Sequence, residues 1–180
     1  VGKTTTARLI AKALNCEKAN SEKINCSKES LCTTCKEIIN SNHIDVLEMD
    51  AASKTGIDDV RELIENSKYS PANAKFKIFI IDEVHMLSQA AFNAFLKTLE
   101  EPPPHAVFIL ATTEKHKILP TILSRCQIFD FHRISVPDAV AHLQNIASQE
   151  GVTAEEEALH VIAQKADGAL RDALSMFDQL

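Results

Sequence analysis

Three groups of residues in this chain have the types and spacing to do chemistry. The first is Gly2-Lys3-Thr4-Thr5, at the start of an apolar-periodic stretch. Glycine lets a backbone wrap a phosphate, lysine meets the β- and γ-phosphate charge, and a hydroxyl ligates Mg²⁺. The group therefore matches the end of G-x-x-x-x-G-K-[ST], the phosphate-binding P-loop. A helix N-terminus adds partial positive charge at the same place. The tripeptide also suits an ordinary, well-capped helix start. The second group is Ile80-Ile81-Asp82-Glu83, an apolar run ending in two acids. Asp82 would hold Mg²⁺, and Glu83 would orient and deprotonate a water. An acidic strand-to-helix turn looks the same in isolation, but both motifs together in an α/β pattern favour phosphate chemistry. The third group is Cys16, Cys26, Cys32 and Cys35, four of the five cysteines. Cys32-x-x-Cys35 is the tight half-site common in tetrahedral zinc. The other half is looser, with Ser-Lys-Glu-Ser-Leu between Cys26 and Cys32. Disulfides and scattered buried thiols are the alternatives.

Single residues add less. Thr112 and Thr113 follow an apolar strand, where a polar side chain could hold a lytic water, although threonine is at home in strands anyway. Arg125 and Arg171 are lone arginines, a type most often found solvated or in surface ion pairs. Asp82-Glu83-Val84-His85 has the look of a DExH helicase box. His43, His105 and His132 are scattered as surface or core residues, and Cys126 fits a small buried strand residue.

Elements that position these groups follow from periodicity. Residues 3 to 14 carry Leu9, Ile10, Ala13 and Leu14 at helical spacing. DVLEMDA (45–51), KIFIID (77–82), AVFILATT (106–113) and QIFDF (127–131) read as strands, and KIFIID as one buried on both faces. IDDVRELIENS (57–67), SQAAFNAFLKTLEE (88–101) and LPTILSR read as helices, with Ser88 as an N-cap and Pro102-Pro103-Pro104 as a stop. Alternating strands and helices predict a parallel α/β sheet. After Ser135 three helices follow with no strand. The expected division is 1–134 and 135–180.

Composition sets bounds. Hydrophobic residues are 45% and charged residues 24% of 180, ordinary for a globular protein. No apolar run reaches the roughly 20 residues of a membrane span, and VGKTTTARL is no signal peptide. A cytoplasmic location is expected, which disfavours disulfides. The net charge of −6 is wrong for a protein that binds nucleic acid alone.

Taken in order, GKTTTARLIAKALNC, the four-cysteine segment, EMDAASKTGIDDVREL, IDEVHMLSQAAFNAFLKTLEEPP, FILATTEKHKILPTILSRCQIF and GALRDALSMFDQL resemble one family. It is that of the ATPase subunits of bacterial replicative clamp loaders, the gamma/tau subunits of DNA polymerase III. The resemblance spans essentially the whole chain. Its specificity lies in SRC, LEEPP and the cysteine insert together.

That resemblance implies an AAA+ fold: a P-loop α/β domain with a zinc insert at about 16–35, then a three-helix lid. It implies ATP, Mg²⁺ and Zn²⁺ as ligands. Gly2, Lys3, Thr4 and Thr5 would bind phosphate, with Thr4 and Asp82 on Mg²⁺. Asp82 and Glu83 match the Walker B pair, and Thr113 the polar sensor, with Thr112 the next choice. Arg125 matches the arginine finger that reaches a neighbour's nucleotide, and Arg171 the lid arginine. Cys16, Cys26, Cys32 and Cys35 would hold a structural zinc. Ser53, Lys54 and Thr55 match a segment that tracks DNA phosphates. The implied partners are other clamp-loader subunits in a five-subunit ring, the sliding clamp and primed DNA, with no membrane. Val1 alone precedes Gly2, which predicts a chain cut inside its own motif and inactive by itself. The competing expectations are a non-hydrolysing clamp-loader scaffold and, further off, a DExH helicase fragment.

Overall fold

The apolar run Ile78-Phe79-Ile80-Ile81 is fully buried, and its alternation sets the layers of the fold. In the computed structural model, which describes residues 1–19, 26, 30–54 and 56–179, this run forms β2 (Lys77–Asp82). β2 lies between β1 (Val46–Asp50) and β3 (Ala106–Leu110) in a parallel sheet of order β1-β2-β3. Successive strand side chains point to opposite faces. Ile78 and Ile80 pack with Ala7 and Ala11 of α1 (Lys3–Asn15) and Ile38 of α2 (Thr33–Ile39). Phe79 and Ile81 pack with Val60 and Leu63 of α3 (Ile57–Lys68), Phe92 and Phe95 of α4 (Gln89–Glu100) and Ile122 of α5 (Pro120–Leu123). Each large side chain so buried contributes roughly 1.5–3 kcal/mol. Phe108 of β3 joins this core, stacked on Phe79 at 5.2 Å and edge-on to Phe95 at 5.1 Å.

Polar residues fix how the elements enter the sheet. Ser88 Oγ accepts from Ala91 N at 3.2 Å and caps α4. Buried Asn15, the last residue of α1, donates to Phe76 O and accepts from Phe76 N, both at 2.9 Å. This pins the end of α1 to the residue before β2. Asp45 is 1% exposed, and its carboxylate accepts from the backbone N–H groups of Ala72, Asn73 and Ala74. His43 is buried beside it and accepts from Asp45 N through Nδ1 at 3.0 Å. These buried polar groups are satisfied, as burial requires.

Packing divides the chain into Lys3–Ile128 and a second unit of Phe129–Leu180 with Val1–Gly2. The second unit holds α6 (Val136–Glu150), α7 (Glu156–Lys165) and α8 (Leu170–Phe177). Leu143, Leu159, Ile162, Ala163 and Ala173 form its core. Ser135 caps α6, and Gly151 ends it at φ +70°. The α7–α8 turn requires glycine at 168. Its φ is +77°, and a Cβ there would lie 2.5 Å from Arg133 Cβ.

Two features differ from the sequence reading. Gln127–Phe131 forms no strand. Its apolar residues Ile128, Phe129 and Phe131 are exposed, Phe129 by 66%, and no described strand pairs with them. Apolar, β-prone residues stabilise a strand only through cross-strand neighbours. The cysteine segment contains a helix, α2, which its sequence pattern hides.

Candidate functional site

The C-terminal edge of a parallel sheet is where ligands bind in open α/β folds. Here that edge carries Asp50 and Asp82 in register on adjacent strands. Thr4, in the first turn of α1, donates through Oγ1 to Asp82 Oδ2 at 2.6 Å. This bond spans 78 residues and sets the N-terminus of α1 against the end of β2. Lys3 is the first residue of that helix and Thr5, two positions further on, is exposed. Gly2, at φ +85°, precedes it in a conformation that glycine favours. A hydroxyl and a carboxylate in direct contact are a hard oxygen set, which suits Mg²⁺. Exposed backbone N–H groups of the α1 N-terminus suit phosphate.

Glu83 follows in the left-handed region, φ +45° and ψ +44°. Its N–H donates back to Asp82 Oδ1 at 2.9 Å. The turn aims the Glu83 carboxylate across to the loop after β3. There Oε2 accepts from Thr113 N at 3.1 Å and from Thr113 Oγ1 at 2.8 Å. Of the two threonines, Thr113 is the one against the acid. Thr112 instead faces His85, with Oγ1 3.0 Å from Nδ1. His85 lies in the short 3₁₀ turn Val84–Met86, its side chain only 7% exposed. Its Nδ1 is also 3.3 Å from Glu83 Oε2, and its Nε2 is 3.1 Å from Glu114 Oε2. The Lys117 ammonium, 2.6 Å away, is the main reason the Glu114 carboxyl sits below the ordinary range. Sequence reasoning missed Glu114 entirely, because only the β2–β3 pairing brings it to His85.

Arg125 lies elsewhere in the same unit. Its guanidinium donates to Thr121 O at 2.6 Å and to Glu100 Oε1 at 2.8 Å, bridging the ends of α5 and α4. Arg171 is exposed in the first turn of α8, in the other unit. Ser53 and Lys54 are exposed between β1 and α3. Ser53 Oγ and the Lys54 N–H both donate to Asp50 O, at 3.0 Å each. Thr55 falls outside the described residues. His105 contacts Ser67 O at 3.0 Å through Nε2, a structural bond.

The four cysteines converge. Cys16 closes α1, Cys32 is the N-cap of α2 and Cys35 lies in its first turn. With Cys26, their sulfurs all lie within 4.8 Å of one another. All five cysteines are free thiols, which removes the disulfide alternative. Cys26 Sγ is 3.4 Å from Cys16 Sγ and accepts from Cys32 N at 3.4 Å, so the long spacing does not keep Cys26 out. Burial pushes the Cys16 and Cys35 thiols up. Burial also acts to raise Cys32, but hydrogen bonds from the Cys35 and Glu17 backbone and the other thiols outweigh it and bring it to about 7. Glu17 accepts from Thr34 N and Oγ1 at the N-terminus of α2, and Thr34 draws its carboxyl down. Tetrahedral zinc with bonds of about 2.3 Å needs sulfurs about 3.8 Å apart, so the donor set fits that metal. Cys126 stays outside the cluster, its thiol raised by burial against the sheet core.

A parallel sheet with a hydroxyl-bearing helix start against an acidic strand end, and a separate three-helix unit, define the AAA+ class. Solved RuvB structures from Thermotoga maritima share the fold. One of them, a point mutant, has a TM-score of 0.59 at 20% identity, over 81% of this chain and 49% of that one. A gamma subunit-related protein of DNA polymerase III from Thermotoga maritima aligns over 93% of this chain and 59% of its own, at 26% identity and TM-score 0.50. Residues 1–135 match the family model for DNA polymerase III, delta subunit, and residues 138–180 that for the DNA polymerase III clamp loader subunit, ATPase lid domain. The chain belongs to the family of DNA polymerase III clamp-loader subunits. It is 51% identical to the subunit tau of Bacillus subtilis and 48% to that of Escherichia coli, over 99% of its length in each case. It is also 48% identical to a subunit gamma of Buchnera aphidicola. It spans 31%, 27% and 47% of those relatives. Among the described residues no helix is long and apolar enough to cross a membrane.

Proposed function

We propose that this chain is the nucleotide-hydrolysing part of a clamp-loader ATPase that uses ATP to place a sliding clamp on primed DNA. The observation that carries the reading is the pair of contacts at one sheet edge, Thr4 to Asp82 and Thr113 to Glu83. Gly2, Lys3, Thr4 and Thr5 would take the phosphates at the α1 N-terminus. Thr4 and Asp82 would hold Mg²⁺, which supplies charge neutralisation on the β- and γ-phosphates. Glu83 would accept the proton of the attacking water, with Thr113 fixing its carboxylate.

Arg125 would act in trans on a neighbouring subunit's nucleotide, in a ring of five, and Arg171 would sense nucleotide from the lid. The Arg125–Glu100 pair is partly exposed, at 34% and 50%. Such pairs are worth roughly 0–1 kcal/mol, so releasing Arg125 to a phosphate costs little. Ser53, Lys54 and Thr55 would meet DNA phosphates, contacts that position rather than specify. The cysteine cluster would hold a structural zinc that closes the insert onto α1. A cytoplasmic location accords with these partners.

The test is steady-state ATP hydrolysis by the full-length protein assembled with its partner subunits, with clamp and primed DNA added in turn. Glu83→Gln is expected to keep nucleotide binding and to lose stimulated hydrolysis. A wild-type assembly that binds nucleotide without turning it over overturns the reading. It would favour the second one, a non-hydrolysing subunit, which the delta-subunit description of the matching family model supports.

A further inference from the structure

His85 is not explained by phosphate binding, by water activation or by core packing. Its ring is nearly sealed from solvent, yet both nitrogens face polar groups on the neighbouring loop. Nδ1 meets Glu83 Oε2 at 3.3 Å and Thr112 Oγ1 at 3.0 Å, and Nε2 meets Glu114 Oε2 at 3.1 Å. Thr112 Oγ1 in turn accepts from Glu114 N at 3.0 Å. The ring therefore ties the turn after β2 to the loop after β3 by both of its edges. Both carboxylates only accept, so Nε2 can bond Glu114 only as a donor, and Nδ1 either donates toward Glu83 or accepts from the Thr112 hydroxyl.

Glu83 gains the most from this arrangement. Its carboxylate stands on a left-handed backbone and, among the described residues, makes three polar contacts, all through Oε2. Two come from Thr113 and the third from His85. The Thr113 contacts come from an exposed residue, where water competes, whereas His85 presses on Oε2 from the buried side. A buried ring braced by Glu114 is the stiffer of the two supports.

We propose that His85 is a positioning residue for hydrolysis. Its Nδ1 edge sets the direction of the Glu83 carboxylate, and its Nε2 edge, held by Glu114, fixes the ring. The proposal rests on the assignment of Glu83 as the water-activating group. It adds a residue that touches neither phosphate nor water and reaches the reaction only through Glu83.

The experiment compares His85→Ala, His85→Asn and His85→Gln in the full-length assembly, with Glu83→Gln as reference. The asparagine amide reaches the place of Nδ1 and the glutamine amide that of Nε2. Misplacing a catalytic group by about 1 Å costs up to about 100-fold. His85→Ala is therefore expected to lower kcat about 10- to 100-fold, with KM for ATP within about twofold of wild type. His85→Asn should recover most of that loss, and His85→Gln less, although glutamine is nearer to histidine in volume. A ring that served only as filling would give the reverse order, with losses that follow the melting temperatures. Wild-type kcat in His85→Ala, or His85→Gln at or above His85→Asn, overturns the proposal while leaving Glu83 in place. Wild-type turnover in Glu83→Gln, or a wild-type assembly without hydrolysis, overturns the assignment beneath it and this proposal with it.

Discussion

Thr113→Val deletes one hydroxyl and keeps the side-chain shape. In the structure Glu83 Oε2 takes a 2.8 Å bond from that hydroxyl and a 3.1 Å bond from the Thr113 N–H. The variant loses the shorter bond and keeps the other. A hydrogen bond to a charged group contributes about 1.5–3 kcal/mol. Thr113 is exposed, so the low end applies, about 1.5 kcal/mol. At about 1.4 kcal/mol for each factor of ten, kcat falls about tenfold. KM for ATP stays within about twofold, because the lost bond touches neither Thr4 nor Asp82. Thr113→Ser keeps the hydroxyl and is expected to run near the wild-type rate. The assay is steady-state ATP hydrolysis by the full-length assembly with clamp and primed DNA at saturation. A valine variant at wild-type kcat, or a serine variant as slow as valine, refutes the reasoning.

Arg125→Ala is expected to spare nucleotide binding and to remove DNA-stimulated hydrolysis, a loss of roughly 10³-fold or more for a finger acting in trans; normal stimulated turnover in a reconstituted mutant ring would sink that role. Elemental analysis of protein purified under reducing conditions should find about one zinc per chain, and Cys32→Ser or prolonged chelation should release it and lower the melting temperature. Metal-free protein with an unchanged melt defeats the zinc assignment. Glu114 titrates below its ordinary value of 4.5, first because of Lys117. A depressed carboxyl adds stability in full above its unfolded pKa, and the gain is lost as pH falls through the folded value. Glu114→Gln should therefore flatten the acid limb of a melting-temperature profile taken from about pH 3 to 7, and superimposable limbs for the two proteins would rule this out.

The central strand was legible because Ile78 to Ile81 are apolar without a break, which only a two-sided burial explains. Helix α4 was legible from Ser88 and the three prolines that follow Glu101. Helix α2 was not, since Thr33, Thr34, Lys36 and Glu37 show no apolar stripe. Its support is tertiary: Ile38 buried against Ala7 and Ala11, and Glu17 bonded to Thr34 at its first turn. Gln127–Phe131 misled in the opposite sense, with a pattern fit for a strand and no partner among the described residues. At the site, Asp82 and Glu83 could be named from a motif because the motif is contiguous. The company of Glu83 could not. Thr113 reaches it, and Thr112 and Glu114 reach the neighbouring His85, across about thirty residues, through a strand pairing that leaves no trace in local spacing. Both threonines were candidates by their place after a strand, the choice of Thr113 came from the resemblance, and His85 was noted only as part of a helicase-like tetrapeptide.

Glu83 occupies a left-handed backbone conformation, at φ +45°, that residues with a side chain adopt reluctantly. The cost is roughly 1–2 kcal/mol, a visible share of the roughly 5–15 kcal/mol that holds a typical domain together. Glycine there would relieve it, and asparagine would relieve part. On the proposed role of Glu83, position 83 is under two opposed pressures: backbone strain favours a smaller residue and turnover favours the acid.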